Sequence, residues 1–234
     1  MLCIGARRTR FVEPEIQGLR EYVRPGAVCL DIGAEYGLYT ITLAHLAGPT
    51  GTVHSFEPLP GAHRVLAAVR YALGGRTVRL HQTALGRRTG SFTMSLPYRR
   101  RLPVHGRAFV TDGALGLGPN TEFAEEKRLE VAVRTVDDSA PARLDFIKAD
   151  VEGAEVFVLE GAHRTLLSHR PTLLLEIEER HLAKYGLGAR DVTDRLHAMG
   201  YAMHVWREGV WARVVHVTEF HRNYLFTHHP PEAD

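Results

Sequence analysis

The sequence predicts an α/β fold in a single domain, and three features of the chain predict it. Short apolar segments rich in β-branched residues alternate with helix-forming segments through most of the chain. After Gly200 the alternation ends, and apolar segments follow one another with only turns between them. The length of 234 residues is enough to bury a substantial core. We therefore expect a mainly parallel sheet covered by helices on both faces, with antiparallel strands near the chain end.

The boundaries of the predicted elements follow from glycine and proline. Gly48 with Pro49 ends the first predicted helix and Pro171 ends the third, while Gly161 is expected to break that third helix in two. The predicted strands are 27–32, 52–56, 77–82, 145–149 and 171–177, and the predicted helices are 36–47, 60–73, 153–169 and 189–199. Beyond Gly200, "YAMHVW", "VWARVVHV" and "NYLFTH" are predicted to be antiparallel strands.

Two parts of the chain stand outside this alternation. Residues 1–25 are predicted to form a short N-terminal helical segment. Residues 86–138 carry no clear helix and form an insertion between the third and fourth sheet strands, in which "GSFTMSL" and "RLEVAVRTV" are predicted to pair as a hairpin. Such an insertion is typical either of an active-site lid or of a mobile solvated loop, and both interpretations stay open. Because nothing resembles a linker, residues 1–234 are predicted to form one domain.

Composition excludes several classes of protein. The hydrophobic content of 44% and charged content of 24% are typical of a globular protein, and the net charge of +2 does not indicate a nucleic-acid partner. No apolar stretch is long enough for a membrane span, and the start of the chain lacks a signal peptide, so we expect a cytoplasmic protein. Cys3 and Cys29 provide neither a disulfide framework nor a metal-ligand spacing, and Cys29 is expected to be buried. A homo-oligomer stays open.

Polar side chains follow the predicted parallel strands where each strand ends. In chain order they are Asp31, Glu57, Gln82, Asp150 and Glu176. A single acid after a strand often only caps the next helix. Five polar residues in this pattern converge on one edge of the sheet, where open parallel sheets bind their ligands. The sequence therefore predicts a ligand site at this edge.

The spacing of glycines after the first strand selects among nucleotide ligands. A dinucleotide loop reads G-x-G-x-x-G, whereas this chain has Gly33 and Gly37 with no glycine between them and places Glu35 in the loop. A carboxylate there would repel a pyrophosphate but suits a ligand with ammonium and sulfonium groups. Glu57 suits the two hydroxyls of a ribose. The ligand that fits is S-adenosyl-L-methionine, and a nicotinamide-dependent oxidoreductase is the disfavoured alternative.

These motifs resemble a known family. "DIGAEYGLYT", "SFEPLP", "TALG", "LDFIKADVEGAEVFVLEGA", "PTLLLEIEERHL" and "NYLF" occur in order between Glu21 and Phe226. The chain resembles the FkbM-type family of class I S-adenosylmethionine-dependent methyltransferases, and the "KADVEGAE" block is the most specific match. Glu35 and Tyr36 depart from the family, whose members often carry asparagine and an aliphatic residue there.

The resemblance implies a Rossmann-like class I methyltransferase domain with a seven-stranded sheet whose last strand is antiparallel. It also implies that the adenosyl group lies across Gly33, Glu57 and the Gln82–Ala84 turn. The residues expected to bind the cofactor, some from the strand ends and glycine loop and the others from what the resemblance implies, are Asp31, Gly33, Glu35, Tyr36, Gly37, Glu57, Pro58, Gln82, Thr83 and Ala84. Asp150 is expected to face the reacting methyl group.

Methyl transfer to a hydroxyl requires alignment of donor and acceptor and removal of the hydroxyl proton. The catalytic candidates are Asp150, Glu152, Glu178 and His181, whereas Glu155 is expected to serve only the first turn of a helix. Asp150 and Glu176 could instead hold Mg²⁺, as strand-end carboxylates do in the catechol O-methyltransferase branch. Both a protein base and a metal mechanism stay open, as does a simple helix-cap role for Asp150.

The acceptor is the least determined feature. "PYRRRLPVHGR" places four arginines, Arg99–Arg101 and Arg107, in the insertion, where they would recognise an anionic or hydroxylated acceptor or merely solubilise a loop. A polar site with few aromatics favours O-methylation of a saccharide or glycoconjugate, as in polysaccharide biosynthesis. O- or N-methylation of a polyketide or other secondary metabolite is the alternative. RNA methylation is disfavoured because the fourth strand lacks an Asn/Asp-Pro-Pro-aromatic block, and a non-catalytic binding module is disfavoured by the intact set of acids.

Overall fold

The computed structural model describes residues 13–72 and 76–228. Residues 1–12 of the predicted N-terminal segment, including Cys3, lie outside the described residues, and Pro14–Glu21 forms a 3₁₀ helix. Among the described residues, no helix is both long and apolar enough to cross a membrane.

Two sheets are built from the strands of the described residues. The strands are β1 (Val28–Ile32), β2 (Thr52–Phe56), β3 (Val78–His81), β4 (Ala84–Leu85), β5 (Gly90–Arg99), β6 (Leu102–Pro103), β7 (Phe109–Val110), β8 (Glu125–Arg134), β9 (Phe146–Ala149), β10 (Thr172–Glu176), β11 (Tyr201–Arg207), β12 (Val210–Arg213) and β13 (Asn223–His228).

The α-helices fall mainly between the strands of the larger sheet. They are α1 (Leu38–Ala47), α2 (Pro60–Ala72), α3 (Val136–Ser139), α4 (Glu155–Glu160), α5 (His163–His169), α6 (Glu179–Leu182) and α7 (Ala189–Ala198). Three further 3₁₀ helices span His105–Arg107, Gly118–Glu122 and Ala183–Tyr185. Gly37, with φ of 90°, precedes α1, and Gly48, with φ of 65°, follows it, so glycine fixes both ends of this helix.

The larger sheet confirms the predicted α/β class and corrects the number of strands. Its order is β12-β11-β13-β10-β9-β1-β2-β3, with β3, β2, β1, β9 and β10 parallel and β13 antiparallel to β10. The last strand is therefore antiparallel, as predicted. The sheet has eight strands rather than seven, because the two-residue turn after β11 lets β12 fold back as an added edge strand.

Helices cover both faces of this sheet because alternate residues of its central strands are apolar on both sides. On one face, Leu43 and Ala47 of α1 pack against Cys29 and Leu174. On the other face, α4, α5 and α7 pack against a cluster that includes Ile147. Each fully buried leucine or isoleucine contributes about 1.5–3 kcal/mol. The parallel strands are thus held with their carboxyl ends at a single edge.

The predicted helix over 153–169 is two helices, α4 and α5, as the glycine at 161 suggested. Position 161 must be glycine because the backbone there lies close to another part of the chain. A Cβ atom on Gly161 would lie 2.0 Å from the carbonyl oxygen of Gly86, so the chain can pass there only without a side chain. This contact joins the helix pair to the start of the insertion.

The insertion forms the smaller sheet, in the order β4-β8-β5-β6 with β7 beside β5. β5 and β8 pair antiparallel from Gly90 opposite Val133 to Tyr98 opposite Glu125. Its apolar face packs on the start of α2, where Leu59 and Ala62 meet Met94 and Val131. The segment between β6 and β7 consequently lies across the carboxyl edge of the larger sheet.

Candidate functional site

A cavity of about 380 Å³ lies at the carboxyl edge of the larger sheet. Its floor is formed by residues that follow β1, β2, β9 and β10, and its roof by residues 105–108 and 110 of the insertion. The predicted site residues that line it are Gly33, Glu35, Glu57, Pro58, Ala84, Asp150, Glu152, Glu176, Glu178 and His181. The topology thus brings together side chains that are far apart in the sequence.

Glu57 lies at the β2 end of the cavity and is almost completely buried. Its Oε2 accepts a hydrogen bond from the backbone N–H of Glu35 at 3.0 Å, and its Oε1 accepts one from Leu59 at 2.8 Å. Burial raises the pKa of Glu57 to about 7 despite these two donors. Each oxygen retains a lone pair that can accept a further hydrogen bond from a ligand hydroxyl.

Asp31 does not line the cavity but lies beneath the glycine loop. Its Oδ2 accepts a hydrogen bond of 2.5 Å from the hydroxyl of Thr40, which also lies 2.8 Å from the Ser55 hydroxyl. Burial raises the pKa of Asp31 to about 6. These contacts fasten the start of α1 to β1 and β2, so Asp31 shapes the loop from below.

Glu35 and Tyr36, the two residues that depart from the family pattern, face the insertion. The hydroxyl of Tyr36 lies 2.7 Å from Nδ1 of His105, and burial followed by the charge of Asp150 raises the pKa of Glu35. Glu35 also receives a hydrogen bond from the backbone of Gly106. Tyr36 is 46% exposed and lies outside the cavity lining. Both residues therefore hold the roof, and Glu35 reaches the cavity as well.

The remaining predicted cofactor residues divide into lining and supporting positions. Pro58 and Ala84 line the cavity, whereas Gly37 serves the start of α1. Gln82 is exposed. Thr83 is buried and donates its hydroxyl hydrogen to the carbonyl of Ala132 at 2.8 Å, which joins the two sheets. A cofactor role for Gln82, Thr83 and Gly37 stays a prediction.

Four carboxylates converge on the opposite half of the cavity. Asp150 follows β9 and Glu176 ends β10, so adjacent parallel strands place them together. Burial, then the charge of Asp150, raises the pKa of Glu176, and the same two causes raise the pKa of Glu152. Glu178 differs, since it accepts two hydrogen bonds from Arg180, at 2.6 and 3.1 Å, and lies 3.5 Å from Arg222. Glu178 is thus neutralised by arginine.

Asp150 is not a helix cap. The next helix, α4, begins at Glu155 after Ala154, and the backbone N–H of Asp150 donates to the carbonyl of Ile32 at 3.0 Å. This bond continues the pairing of β9 with β1 and leaves the carboxylate in the cavity wall. The side chain keeps 36% of its surface exposed, which suits a group that meets a ligand.

His181, on α6, is enclosed between the carboxylates and the roof. Its Nδ1 lies 3.0 Å from Oε2 of Glu152, and its Nε2 lies 3.2 Å from Nη1 of Arg107. Burial, then the charge of Lys184, lowers the pKa of His181. Because a guanidinium only donates, Nε2 accepts the hydrogen bond and the ring proton is on Nδ1. The imidazole is therefore neutral, and the lone pair a general base would use is occupied by Arg107.

The loop from Asp150 to Glu155 owes its shape to two residues of the "KADVEGAE" block. The buried Glu155 accepts hydrogen bonds from the backbone N–H groups of Val151 and Gly153 at 3.1 and 3.3 Å, a structural role as expected. A Cβ atom on Gly153 would lie 2.2 Å from the carbonyl oxygen of His181. The loop and α6 are consequently packed backbone to backbone.

Lys148 is a site residue that the sequence analysis missed. Its side chain is 1% exposed, and its Nζ lies 3.9 Å from Oδ2 of Asp150 and 4.9 Å from the centre of the Tyr39 ring. Burial alone would lower the pKa of Lys148, but the charges of Asp150 and Glu176 outweigh burial, and the pKa is raised. A lysine in a buried strand was a visible signal, because it must be paired there.

The four arginines of the insertion do not act alike. Arg107 lines the cavity, whereas Arg99, Arg100 and Arg101 do not. Arg99 lies 3.7 Å from Glu122 and against the ring of Phe123. Arg180 and Arg222, which the sequence analysis did not single out, line the cavity as well. Their position follows from α6 and from the approach to β13, which the sequence pattern does not locate.

Comparison with known proteins identifies the family. A model of the methyltransferase FkbM domain matches residues 31–203, from the end of β1 into β11. The chain belongs to the methyltransferase FkbM family. It is accordingly an S-adenosylmethionine-dependent methyltransferase, and the predicted family, enzyme class and organic cofactor are confirmed.

Two curated relatives of this FkbM methyltransferase support the assignment. The 31-O-demethyl-FK506 methyltransferase FkbM of Streptomyces tacrolimicus is 29% identical over 188 residues, which cover 68% of this chain and 70% of the relative. Methyltransferase 1 of Beauveria bassiana (strain ARSEF 2860) is 26% identical over 144 residues, covering 56% of this chain and 57% of that protein.

Solved structures support the fold of the FkbM methyltransferase. A methyltransferase FkbM from Methylobacillus flagellatus KT aligns with a TM-score of 0.54 and 17% identity, over 92% of this chain and 51% of that chain. The present chain thus spans about half the length of that relative. Aeropyrum pernix fibrillarin, solved with natively bound S-adenosyl-L-methionine, aligns with a TM-score of 0.50 and 16% identity, over 95% of this chain and 74% of that chain.

Proposed function

We propose that this FkbM methyltransferase transfers the methyl group of S-adenosyl-L-methionine to a hydroxyl oxygen of a saccharide or glycoconjugate. The observation that carries the proposal is the charged lining of the cavity half beyond Asp150. Carboxylates and arginines alternate there, and Phe56 is the only phenylalanine, tyrosine or tryptophan among the described lining residues. Such a surface hydrogen-bonds many hydroxyls and offers no apolar slot to a flat aromatic ring.

The cofactor would occupy the half of the cavity near β1 and β2. Glu57, with a free lone pair on each oxygen, would accept hydrogen bonds from both ribose hydroxyls. Gly33 would allow the chain to pass close to the nucleoside, and Ala84 and Leu85 would border the adenine. The sulfonium would then point toward Asp150, whose negative charge suits it.

The size of the cavity favours a small part of the acceptor. A volume of about 380 Å³ is near the lower end of the usual ~300–1,000 Å³ for small-molecule sites. With the cofactor bound, little space remains beneath Arg107. A terminal sugar unit would enter there, while the rest of a larger acceptor would stay outside, near the half-exposed Arg180 and the more exposed Arg222.

Asp150 is our choice for the group that receives the acceptor proton. The acceptor oxygen would attack the methyl carbon, the carbon–sulfur bond would break with both electrons going to sulfur, and S-adenosylhomocysteine would form. The hydroxyl proton would pass to the Asp150 carboxylate. Glu178 is held by arginine and His181 by Arg107, so these two are better suited to positioning. Glu152 stays a candidate for orienting the acceptor.

A hydroxyl of a polyketide is the second candidate acceptor. The name of the Streptomyces tacrolimicus relative describes O-methylation of an FK506 derivative, and that relative covers two thirds of this chain. Asp150 would accept the proton of such a hydroxyl in the same way. The two acceptors differ in the contacts expected beyond the reacting oxygen, where a macrolide needs apolar surface.

Methyl transfer to panels of acceptors tests the proposal. The full chain would be incubated with S-adenosyl-L-methionine and, separately, with mono- and oligosaccharides, uronic acids, hydroxylated macrolides and a structured RNA. Mass spectrometry would detect the methylated product, and Asp150→Asn would serve as the inactive control. Methylation of a saccharide hydroxyl supports the proposal. Transfer confined to macrolides or to RNA would overturn the acceptor class while leaving the methyltransferase assignment intact.

A further inference from the structure

Three potential metal ligands converge in the acceptor half of the cavity. Glu152, Glu176 and His181 each offer one ligand atom, and these three atoms lie within 4.8 Å of one another. Glu152 is on the loop after β9, Glu176 ends β10 and His181 is on α6. All three residues line the cavity.

An unsatisfied oxygen marks the centre of this cluster. Glu152 is only 8% exposed, and its Oε2 is buried without a hydrogen-bond partner in the described structure. Nδ1 of His181 lies 3.0 Å away but without the geometry of a hydrogen bond, and Nζ of Lys184, at 3.8 Å, is within ion-pair distance but too far for a hydrogen bond. Buried carboxylate oxygens rarely stay unpaired, so this atom calls for a partner.

We propose that Glu152, Glu176 and His181 form a binding site for a divalent first-row transition-metal ion. The inference rests on the proposed function, since the ion would sit beside the acceptor hydroxyl and lower its pKa. One imidazole nitrogen with two carboxylate oxygens favours Mn²⁺, Fe²⁺ or Zn²⁺, whereas Mg²⁺ prefers oxygen ligands alone. The set shares Glu176 with the Asp150–Glu176 pair predicted for Mg²⁺ from the sequence, and that pair stays a prediction.

The contact between Arg107 and His181 gives the proposal a specific consequence for the tautomer of His181. A metal needs the lone pair of Nδ1, so the ring proton must move to Nε2. Nε2 then can no longer accept the hydrogen bond from Arg107, now 3.2 Å long. Metal binding and the Arg107 contact therefore exclude each other. Because Asn120 donates a hydrogen bond of 2.7 Å to the carbonyl of Arg107, release of this residue would extend to the roof of the cavity.

Lys184 opposes the metal by its charge but leaves the ligand atoms accessible. Its ammonium lies over the ring of Phe109 at 4.5 Å and is itself without a hydrogen-bond partner in the described structure. Lys184 is absent from the cavity lining. Asp150, which interacts electrostatically with both Glu152 and Glu176, adds a negative charge that offsets it. The two carboxylate ligands therefore have a negative neighbour as well as the ammonium.

Titration with Mn²⁺, followed by the electron paramagnetic resonance signal of the free ion, tests the site without any acceptor. We expect one saturable Mn²⁺ per chain and a loss in affinity of about tenfold or more in Glu152→Gln, Glu176→Gln and His181→Gln. Asp150→Asn removes a neighbouring charge but no ligand atom, so it should weaken binding less than any of the three ligand variants. Arg107→Ala should bind Mn²⁺ several-fold more tightly, because it frees the tautomer of His181. Mg²⁺ should compete poorly.

Calorimetry with S-adenosylhomocysteine on the same samples shows whether each variant is folded. If His181→Gln is unstable, the loss of Mn²⁺ affinity in Glu152→Gln is enough to test the site. Absence of saturable Mn²⁺ binding in a wild-type chain that binds S-adenosylhomocysteine would overturn the inference and leave the proposed function standing. Binding unchanged in all three ligand variants, or lost in Asp150→Asn alone, would also overturn it. Failure of the proposed function would appear separately, as Mn²⁺ binding without methyl transfer to any saccharide.

Discussion

Gly33 and Asp150 meet backbone to backbone at the centre of the site. A Cβ atom on Gly33 would lie 1.8 Å from the carbonyl oxygen of Asp150, and the φ angle of Gly33 is +79°. The contact joins the loop after β1 to the loop after β9, so the nucleoside half and the acceptor half of the cavity share one support. A side chain at position 33 would push these two loops apart.

Gly33→Ala should therefore lose cofactor affinity and stability together. Gly48→Ala is the matched control, because Gly48 has φ of +65° but no atom within 4 Å of its added Cβ. The control should cost only the strain of a backbone conformation that favours glycine (φ 65°, ψ −169°), about 1–3 kcal/mol. We expect a larger loss of unfolding free energy for Gly33→Ala in urea denaturation, and at least a tenfold weaker affinity for S-adenosylhomocysteine in calorimetry. Equal effects of the two substitutions would contradict the proposed contact.

Binding of the cofactor should depend on pH through Glu57. The pKa of Glu57 is raised to about 7 by burial, and ribose hydroxyls would donate to its ionised form. Binding therefore lowers this pKa, so affinity is full above pH 7 and falls as the pH drops through 7. Between pH 8 and pH 6 the dissociation constant of S-adenosylhomocysteine should rise about tenfold.

Glu57→Gln provides the control for that titration. It should bind more weakly at pH 8, by about 1.5–3 kcal/mol for lost hydrogen bonds to a charged group. Its affinity should change little between pH 8 and pH 6, because the carboxyl group whose pKa of about 7 causes the titration is absent. A wild-type affinity independent of pH would contradict the assignment of the ribose to Glu57.

The roof over the cavity should loosen when Tyr36 loses its hydroxyl. Tyr36→Phe removes the 2.7 Å contact with His105, which is worth about 0.5–1.5 kcal/mol. Hydrogen exchange of the amides at 104–108 should accelerate several-fold, and the KM of the acceptor should rise. Tyr71→Phe, at a tyrosine that is 88% exposed, is the control. Unchanged exchange at 104–108 would show that Tyr36 does not hold the roof.

Asp150→Asn should lose most of kcat while keeping the cofactor. General-base catalysis contributes about 10²–10⁴-fold, so a loss in this range is expected. S-Adenosylhomocysteine affinity should stay within a few-fold, because the damage falls on the transition state. Glu178→Gln is the comparison, since Glu178 is bound by Arg180 and should affect acceptor KM more than kcat. A fully active Asp150→Asn would return the base role to another carboxylate.

Removal of the Lys148 ammonium should destabilise the protein severely. Breaking a buried ion pair by removing one partner typically costs about 3–5 kcal/mol. Lys148→Met keeps the apolar stem but leaves Asp31, Asp150 and Glu176 without their buried cation. Urea denaturation should show this loss, and Lys127→Met, at an exposed lysine, should show almost none. Similar stabilities of the two variants would mean that Lys148 does not neutralise the cluster.

The sequence predicted the parallel part of the sheet because its signals are local. An apolar segment such as "VCLDI", or a glycine beside α1, determines the conformation of only a few neighbouring residues. The strands, the helix ends and the acids at the strand ends could therefore be predicted from the sequence. The eighth strand was not, because the number of strands depends on how β12 folds back on β11. Likewise, no local pattern marked Arg180 as a cavity residue, and only the position of α6 places it in the cavity lining.

The sequence by itself determined the chemistry available to this protein: the acids at the strand ends, the glycines that allow close approach, and the motifs of the FkbM family. The tertiary structure alone decided how these groups pair. Arg107 reaches His181 across 74 positions of the chain and fixes its tautomer, and Tyr36 reaches His105 across 69 positions. Lys148 likewise lies near Asp150 and Glu176 only because β1, β9 and β10 are neighbours in the sheet. Such contacts depend on distances between strands and loops that are far apart in the chain, and no local pattern encodes these distances. Hydrophobic periodicity and turn-forming residues, in contrast, can be read directly from short segments of the sequence.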